Sequence, residues 1–151
     1  MFSSALASML LLTSVEYSQI LQNSPGIDTS YAAALALEVK KASKVYNIPS
    51  QVMLSIAMLE SSYKLDAVNA RSNDFGLFQI NKYNINAYKF DVMRLQNDLS
   101  YSVDAGFKVF AWFYKRYPLN DAIKRYNCGT ALKCVSWGSS INYLRLVNRY
   151  Y

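Results

Sequence analysis

Apolar positions recur along this chain at helical spacing in five places, with turn-forming residues between them. Asp28, Thr29 and Ser30 offer N-caps to an Ala-rich helix running to about Tyr46, which Asn47-Ile48-Pro49 interrupts. Pro49 suits the first turn of a second helix, whose apolar positions Val52, Met53, Ile56 and Ala57 lead to Glu60 and an end near Tyr63. Leu95 to Tyr117 predicts a third helix, with Val103, Phe107, Phe110 and Tyr114 along one stripe and Pro118 as its stop. Leu119 to Tyr126 is shorter and ends near Gly129. Ser139 can cap a last helix through Ile141, Leu144, Val147 and Tyr150. Residues 66–86 are rich in Asn and Ser and read as loops, around one apolar stretch, Phe75 to Ile80, that forms a small strand or a helical turn. The expected class is mainly α: one domain, with a loop-rich segment inserted after the second helix.

Ser24-Pro25-Gly26 is the best boundary in the chain, dividing an N-terminal arm (1–24) from the domain (25–151). Ala5 to Leu12 is an apolar run too short to span a bilayer. It is similar to the apolar stretch of a secretory signal. However, no Lys or Arg precedes it, the first basic residue is Lys40, and no cleavage site is clean. A cleaved signal, an amphipathic arm and a helix packed on the domain are all open.

Composition narrows the chemistry. The chain has 151 residues, enough for a real core, and no His. That excludes Ser-His-Asp and Cys-His catalysis and most zinc sites, so no metal is expected and acid/base work falls to Asp, Glu, Lys, Tyr or Cys. The net charge of +6 calls for anionic surroundings, or is simply a solvated basic surface. The basic residues form no run, which gives nucleic-acid binding little support. Cys128 and Cys134 are too few for a structural zinc. They form either a short disulfide in an oxidising compartment, worth about 2 kcal/mol, or two buried thiols.

Glu60 falls on the same helical face as Met53, Ile56 and Ala57. A carboxyl buried there is held protonated toward neutral pH, as a general acid requires. The plainer alternative is a surface ion pair with Lys64, four residues on. Periodicity alone favours the ion pair.

The residues beyond Glu60 change that balance. Glu60-Ser61-Ser62, then Ser72-Asn73-Asp74-Phe75-Gly76-Leu77-Phe78-Gln79-Ile80-Asn81, then Tyr126-Asn127-Cys128-Gly129 resemble, in order and spacing, the signature blocks of the soluble lytic transglycosylases. The last helix, Tyr143 to Tyr150, is similar to that family's terminal element. The resemblance covers roughly Ala32 to Tyr151 and is greatest to the small enzymes of secretion systems, conjugation machinery and phage particles.

The resemblance implies a lysozyme-like α domain with a cleft between a helical and a loop-rich lobe. It also implies cleavage of the bond between N-acetylmuramic acid and N-acetylglucosamine in peptidoglycan, with closure of a 1,6-anhydro ring. Glu60 takes the place of the catalytic Glu, acting as acid and then base. Gln79 would contact the sugar or line the cleft; Tyr126 and Asn127 would orient the acetamido group and Glu60; Tyr143 would stand near Glu60; Ser72 would reach the sugar. Ser61 more simply supports the helix end, and Gly76 and Gly129 permit tight turns. Phe78 occupies the usual Met place and would pack on a sugar face. Arg125 stands where the family has Ala, and is either solvated or directed at a peptide carboxylate. Trp112, Phe113 and Tyr114 read as core before sugar platform. No cofactor is implied. The expected protein is a monomer acting on glycan strands in the bacterial envelope, or carried on a virion, with secretion or conjugation components as further partners and no nucleic acid. Two rivals stand beside it. One is a hydrolytic lysozyme of the same fold using Asp74 or Asp66 as second carboxylate. The other is a catalytically silent glycan-binding component.

Overall fold

Short polar side chains start most of the helices. In the computed structural model, which describes residues 14–151, Ser14 accepts the Tyr17 amide and opens α1 (Val15–Asn23). Asp28 accepts the Tyr31 amide at the head of α2 (Thr29–Tyr46), and Asn47, in the left-handed region at φ 53°, closes it. Pro49 leads into α3 (Ser50–Ser61). From Val52 to Ala57 every residue of α3 is buried, because α1, α2 and α8 (Gly138–Arg149) pack around it. A helix apolar on all sides in this way lies at the centre of a domain.

The turn at Ser24-Pro25-Gly26 joins two helices of one core. Tyr17 and Ile20 of α1 are buried in the same cluster as Leu35, Ile56 and Val147. Gln19 donates to the carbonyls of Gln51 (3.0 Å) and Tyr150 (2.7 Å), tying α1 to α3 and to the end of α8. The described residues before Ser24 are thus part of the domain, and the apolar run Ala5 to Leu12 lies outside the described residues.

The loop-rich segment holds three two-residue strands: β1 (Val68–Asn69), β2 (Asp74–Phe75) and β3 (Ile80–Asn81). They pair antiparallel in that order, Val68 opposite Phe75 and Phe75 opposite Ile80. The expected loop also contains a helix, α4 (Lys82–Tyr88), started by the Asn81 side chain accepting the Asn84 amide. The expected third helix is two: α5 (Val92–Asn97) and α6 (Leu99–Tyr114). Asp98 divides them, because its carboxylate accepts the Tyr101 amide and so ends one helix while capping the next. The α7 helix (Leu119–Cys128) comes after Pro118, and a 3-10 turn (Cys134–Ser136) leads to α8, whose cap is Trp137 rather than Ser139.

Two glycines fix how the strands meet α5 and α6. Gly76 has φ +78°, and a Cβ there would stand 2.4 Å from the Leu95 carbonyl oxygen. A Cβ on Gly106, in α6, would stand 2.3 Å from the Phe78 ring, so that ring fills the space a side chain would take. The result is a mainly helical single domain with a small three-stranded sheet.

Candidate functional site

The last turn of α3 delivers Glu60 beside the sheet. Ser62 and Tyr63 both have positive φ (53° and 63°), so the chain turns away sharply and leaves the helix end open. Ser61 holds that end: its hydroxyl donates to the Leu77 carbonyl (2.8 Å), joining α3 to the loop between β2 and β3. Glu60 makes no ion pair with Lys64. Instead the Tyr143 hydroxyl, projecting from α8, donates to Oε1 of Glu60 at 2.6 Å. Oε2 has no partner among the described residues and is available to carry a proton.

Burial raises the Glu60 carboxyl from 4.5 to about 7, although part of the residue stays open to solvent. The Tyr143 hydrogen bond opposes that shift by favouring the charged form, and the Asp74 carboxylate adds to it by repulsion. A carboxylic acid half-protonated near neutrality donates a proton and then takes one back. Tyr143→Phe removes the opposing hydrogen bond. The alkaline limb of the pH–rate profile should therefore move to higher pH, with the rate at the optimum falling by about tenfold for the lost contact. A limb that stays or moves down would mean that Tyr143 does not act on the acid.

Tyr126 stands in the same electrostatic environment. Its phenol is pushed well above its ordinary range, first by burial and then by the negative charges of Glu60 and Asp74. It therefore stays a donor, giving its hydroxyl proton to the Phe78 carbonyl (2.8 Å), while its ring packs against Phe110 of α6. The Tyr143 phenol is likewise held protonated, by burial and by Glu60.

Glu60, Tyr143, Tyr126 and Asp74 thus form one group. Ser72, bonded to Asp74, and Asn127, next to Tyr126 in the chain, are exposed. Asn127 has no side-chain partner among the described residues, and Ser72 donates to Asp74 at 2.5 Å. The Gln79 amide nitrogen donates to the carbonyls of Gly76 (3.0 Å) and Ala67 (3.2 Å), so its donor side holds the loop and only its oxygen is left to face a ligand.

Two expectations are corrected. Phe78 does not present its ring to a sugar. It is fully buried, edge-on to Phe107 and against Gly106, because the apolar ring joins α6 in the core; only its backbone carbonyl serves the site. Arg125 is neither solvated nor free to reach a substrate carboxylate. It is 6% exposed, its guanidinium 4.2 Å from the centre of the Tyr117 ring, and it donates to the carbonyls of Gly129 and Ala131. Those carbonyls lie in the loop closed by the Cys128–Cys134 disulfide, whose Cα atoms are 5.7 Å apart. Arg125 is the inner anchor of that loop. The signal for it was its place three residues after Ala122, on the buried face of α7. Of the stripe on α6, Phe113 is core, while Trp112 is 36% exposed with Arg116 stacked on its ring.

Comparisons with known proteins identify the family. The signature described as the Transglycosylase SLT domain matches residues 38–138, from mid-α2 to the start of α8. The invasion protein IagB of Salmonella typhi is 32% identical over 100 residues, covering 62% of this chain and 62% of its own. The protein IpgF of Shigella flexneri is 32% identical over 100 residues, covering 62% of this chain and 66% of its own. The match thus spans just under two thirds of the length of these relatives. With the signature covering most of the chain, from before the Glu60 helix to beyond Tyr126, the protein belongs to the transglycosylase SLT domain family.

Proposed function

We propose that this protein is a peptidoglycan lytic transglycosylase, with Glu60 as its acid and base. The observation that carries the reading is one half-protonated carboxyl, buried at a helix end and held on one oxygen by Tyr143. Glu60 protonates the glycosidic oxygen between N-acetylmuramic acid and N-acetylglucosamine, and the C1–O bond breaks. The acetamido carbonyl of the muramoyl residue bonds to C1, which replaces the second carboxylate of ordinary glycosidases. The C6 hydroxyl then attacks C1, expels the acetamido oxygen and gives its proton to Glu60. The products are a free sugar hydroxyl and a 1,6-anhydro end, and no water is consumed. Asn127, exposed next to Tyr126 in the chain, is assigned the orienting of the acetamido group.

A hydrolytic lysozyme is the second reading, favoured by one observation: Asp74 lies close enough to Glu60 to raise its pKa. Mass spectrometry of digested peptidoglycan separates the two. Anhydro ends are expected, whereas reducing ends alone would sink the transglycosylase reading. Asp74→Asn should leave anhydro products intact and, with the repulsion gone, move the alkaline limb of activity to lower pH. Loss of all turnover in that variant would instead make Asp74 the base of a hydrolase.

The disulfide supports an oxidising location, and the cell envelope is the one that contains the substrate. The Salmonella relative bears the name invasion protein. That name supports local wall opening around an apparatus directed at other cells, one of the uses expected from the sequence.

A further inference from the structure

From Ala122 to Tyr151 the sequence contains no Asp or Glu, yet carries Lys124, Arg125, Lys133, Arg145 and Arg149. Arg125 is buried and Lys124 pairs with Asp121, which leaves Lys133, Arg145 and Arg149 exposed with no carboxylate partner among the described residues. Among these cations stand three large apolar side chains in water: Leu132 is 87% exposed, Trp137 49% and Ile141 52%. They are not on a loose segment. The disulfide closes the loop that holds Leu132, Arg125 ties its carbonyls down, and the 3-10 turn carries it onto α8. Trp137 and Ile141 are one helical turn apart, the Ile141 amide bonding the Trp137 carbonyl, and Arg145 is one turn further.

We infer that this end of the molecule binds an anionic lipid surface, seating Leu132, Trp137 and Ile141 among the headgroups while Lys133 and Arg145 meet lipid phosphates. Three observations favour a bilayer over a shaped protein partner. Each of the three apolar side chains has about half or more of its surface in water. Trp combines an apolar body with a polar N–H, which suits the boundary between headgroup and hydrocarbon. The surrounding charge is of one sign, matching an anionic leaflet. Among the described residues no helix is long and apolar enough to cross a membrane; the contact proposed for this patch is with the headgroup layer alone.

The full-length protein is to be sedimented with phosphatidylcholine vesicles with and without phosphatidylglycerol. Binding is expected only with the anionic lipid, weakening as salt rises. Lys133→Gln and Arg145→Gln should each weaken it by about fivefold. The triple variant L132S/W137S/I141S should lose at least about tenfold while keeping the wild-type circular dichroism and its cleavage of glycan fragments in solution. Trp137 emission should shift to the blue on binding, a shift kept in W112F and absent in W137F. Three results would each overturn the inference: no binding of the wild type, which would leave the patch to a protein partner; unchanged binding by the triple variant, which would place lipid contact elsewhere in the chain; or no shift from Trp137, which would reduce the contact to charge alone.

Discussion

Replacing Glu60 by Gln should lower glycan cleavage by about a thousandfold or more and, in alkaline solution, make the folded protein more stable. The first effect comes from the loss of the one group proposed both to donate and to recover the proton. The second comes from the cost of burying that group. Its carboxyl titrates at about 7 in the fold against 4.5 in an exposed chain. Below pH 4.5 both states hold the proton and the site contributes no difference. Between the two values the unfolded chain releases its proton while the folded chain keeps it, so stability falls as pH rises. Above about pH 7 the full penalty is present, on the order of 3 kcal/mol for a gap of that size. Gln keeps the shape, carries no charge and escapes the penalty. Urea unfolding should therefore show similar stability for the two proteins at about pH 4 and a clear gain for the variant at about pH 8.5. A zymogram gives the activity. A variant that still clears peptidoglycan, or whose gain does not grow with pH, would remove Glu60 from the role assigned to it.

Gly76→Ala should be the most damaging small change to the fold. A side chain at φ +78° costs about 1 kcal/mol for the backbone alone, and here its Cβ meets a backbone carbonyl 2.4 Å away, which no rotamer change relieves. With an overpacking cost of about 2 kcal/mol, the total is about 3 kcal/mol, or roughly 9 °C in Tm for a chain of this size. Activity should fall as well, because the Gly76 carbonyl receives both the backbone amide and the side-chain amide of Gln79. Gly138→Ala is the control: a Cβ there has no atom within 4 Å, and its Tm should barely move. Equal melting of the two variants would show that the approach to Leu95 is not tight.

The long helices were legible because α2, α3 and the core of α6 keep their apolar residues in register, and α3 keeps them on every side. The helix starts at Asn81 and Asp98 were not, since a short polar side chain reads equally well as loop, helix interior or cap until its hydrogen bond is seen. Two-residue strands are below what any alternation pattern can reveal. At the site, Glu60 was visible only through the blocks downstream of it, because periodicity could not tell a buried acid from an ion pair with Lys64. The position of Tyr143 near it also came from the resemblance, 83 residues away. Phe78 and Arg125 were misplaced for a common reason: spacing says that a residue lies near a site, not whether its side chain points toward the cleft or the core. In both cases the side chain turns inward, and it is the carbonyl of Phe78 and the loop held by Arg125 that serve the surface.

The missing side chain at Gly106 ties two distant positions to one evolutionary constraint. The Phe78 ring occupies that space, and the carbonyl of the same residue sets the hydroxyl of Tyr126. A larger residue at 106 is admissible only with a smaller one at 78, so substitutions at these sites should travel as compensating pairs among relatives. The setting of the Tyr126 hydroxyl then depends on a shared volume, half of it owned by a helix that carries none of the proposed site residues.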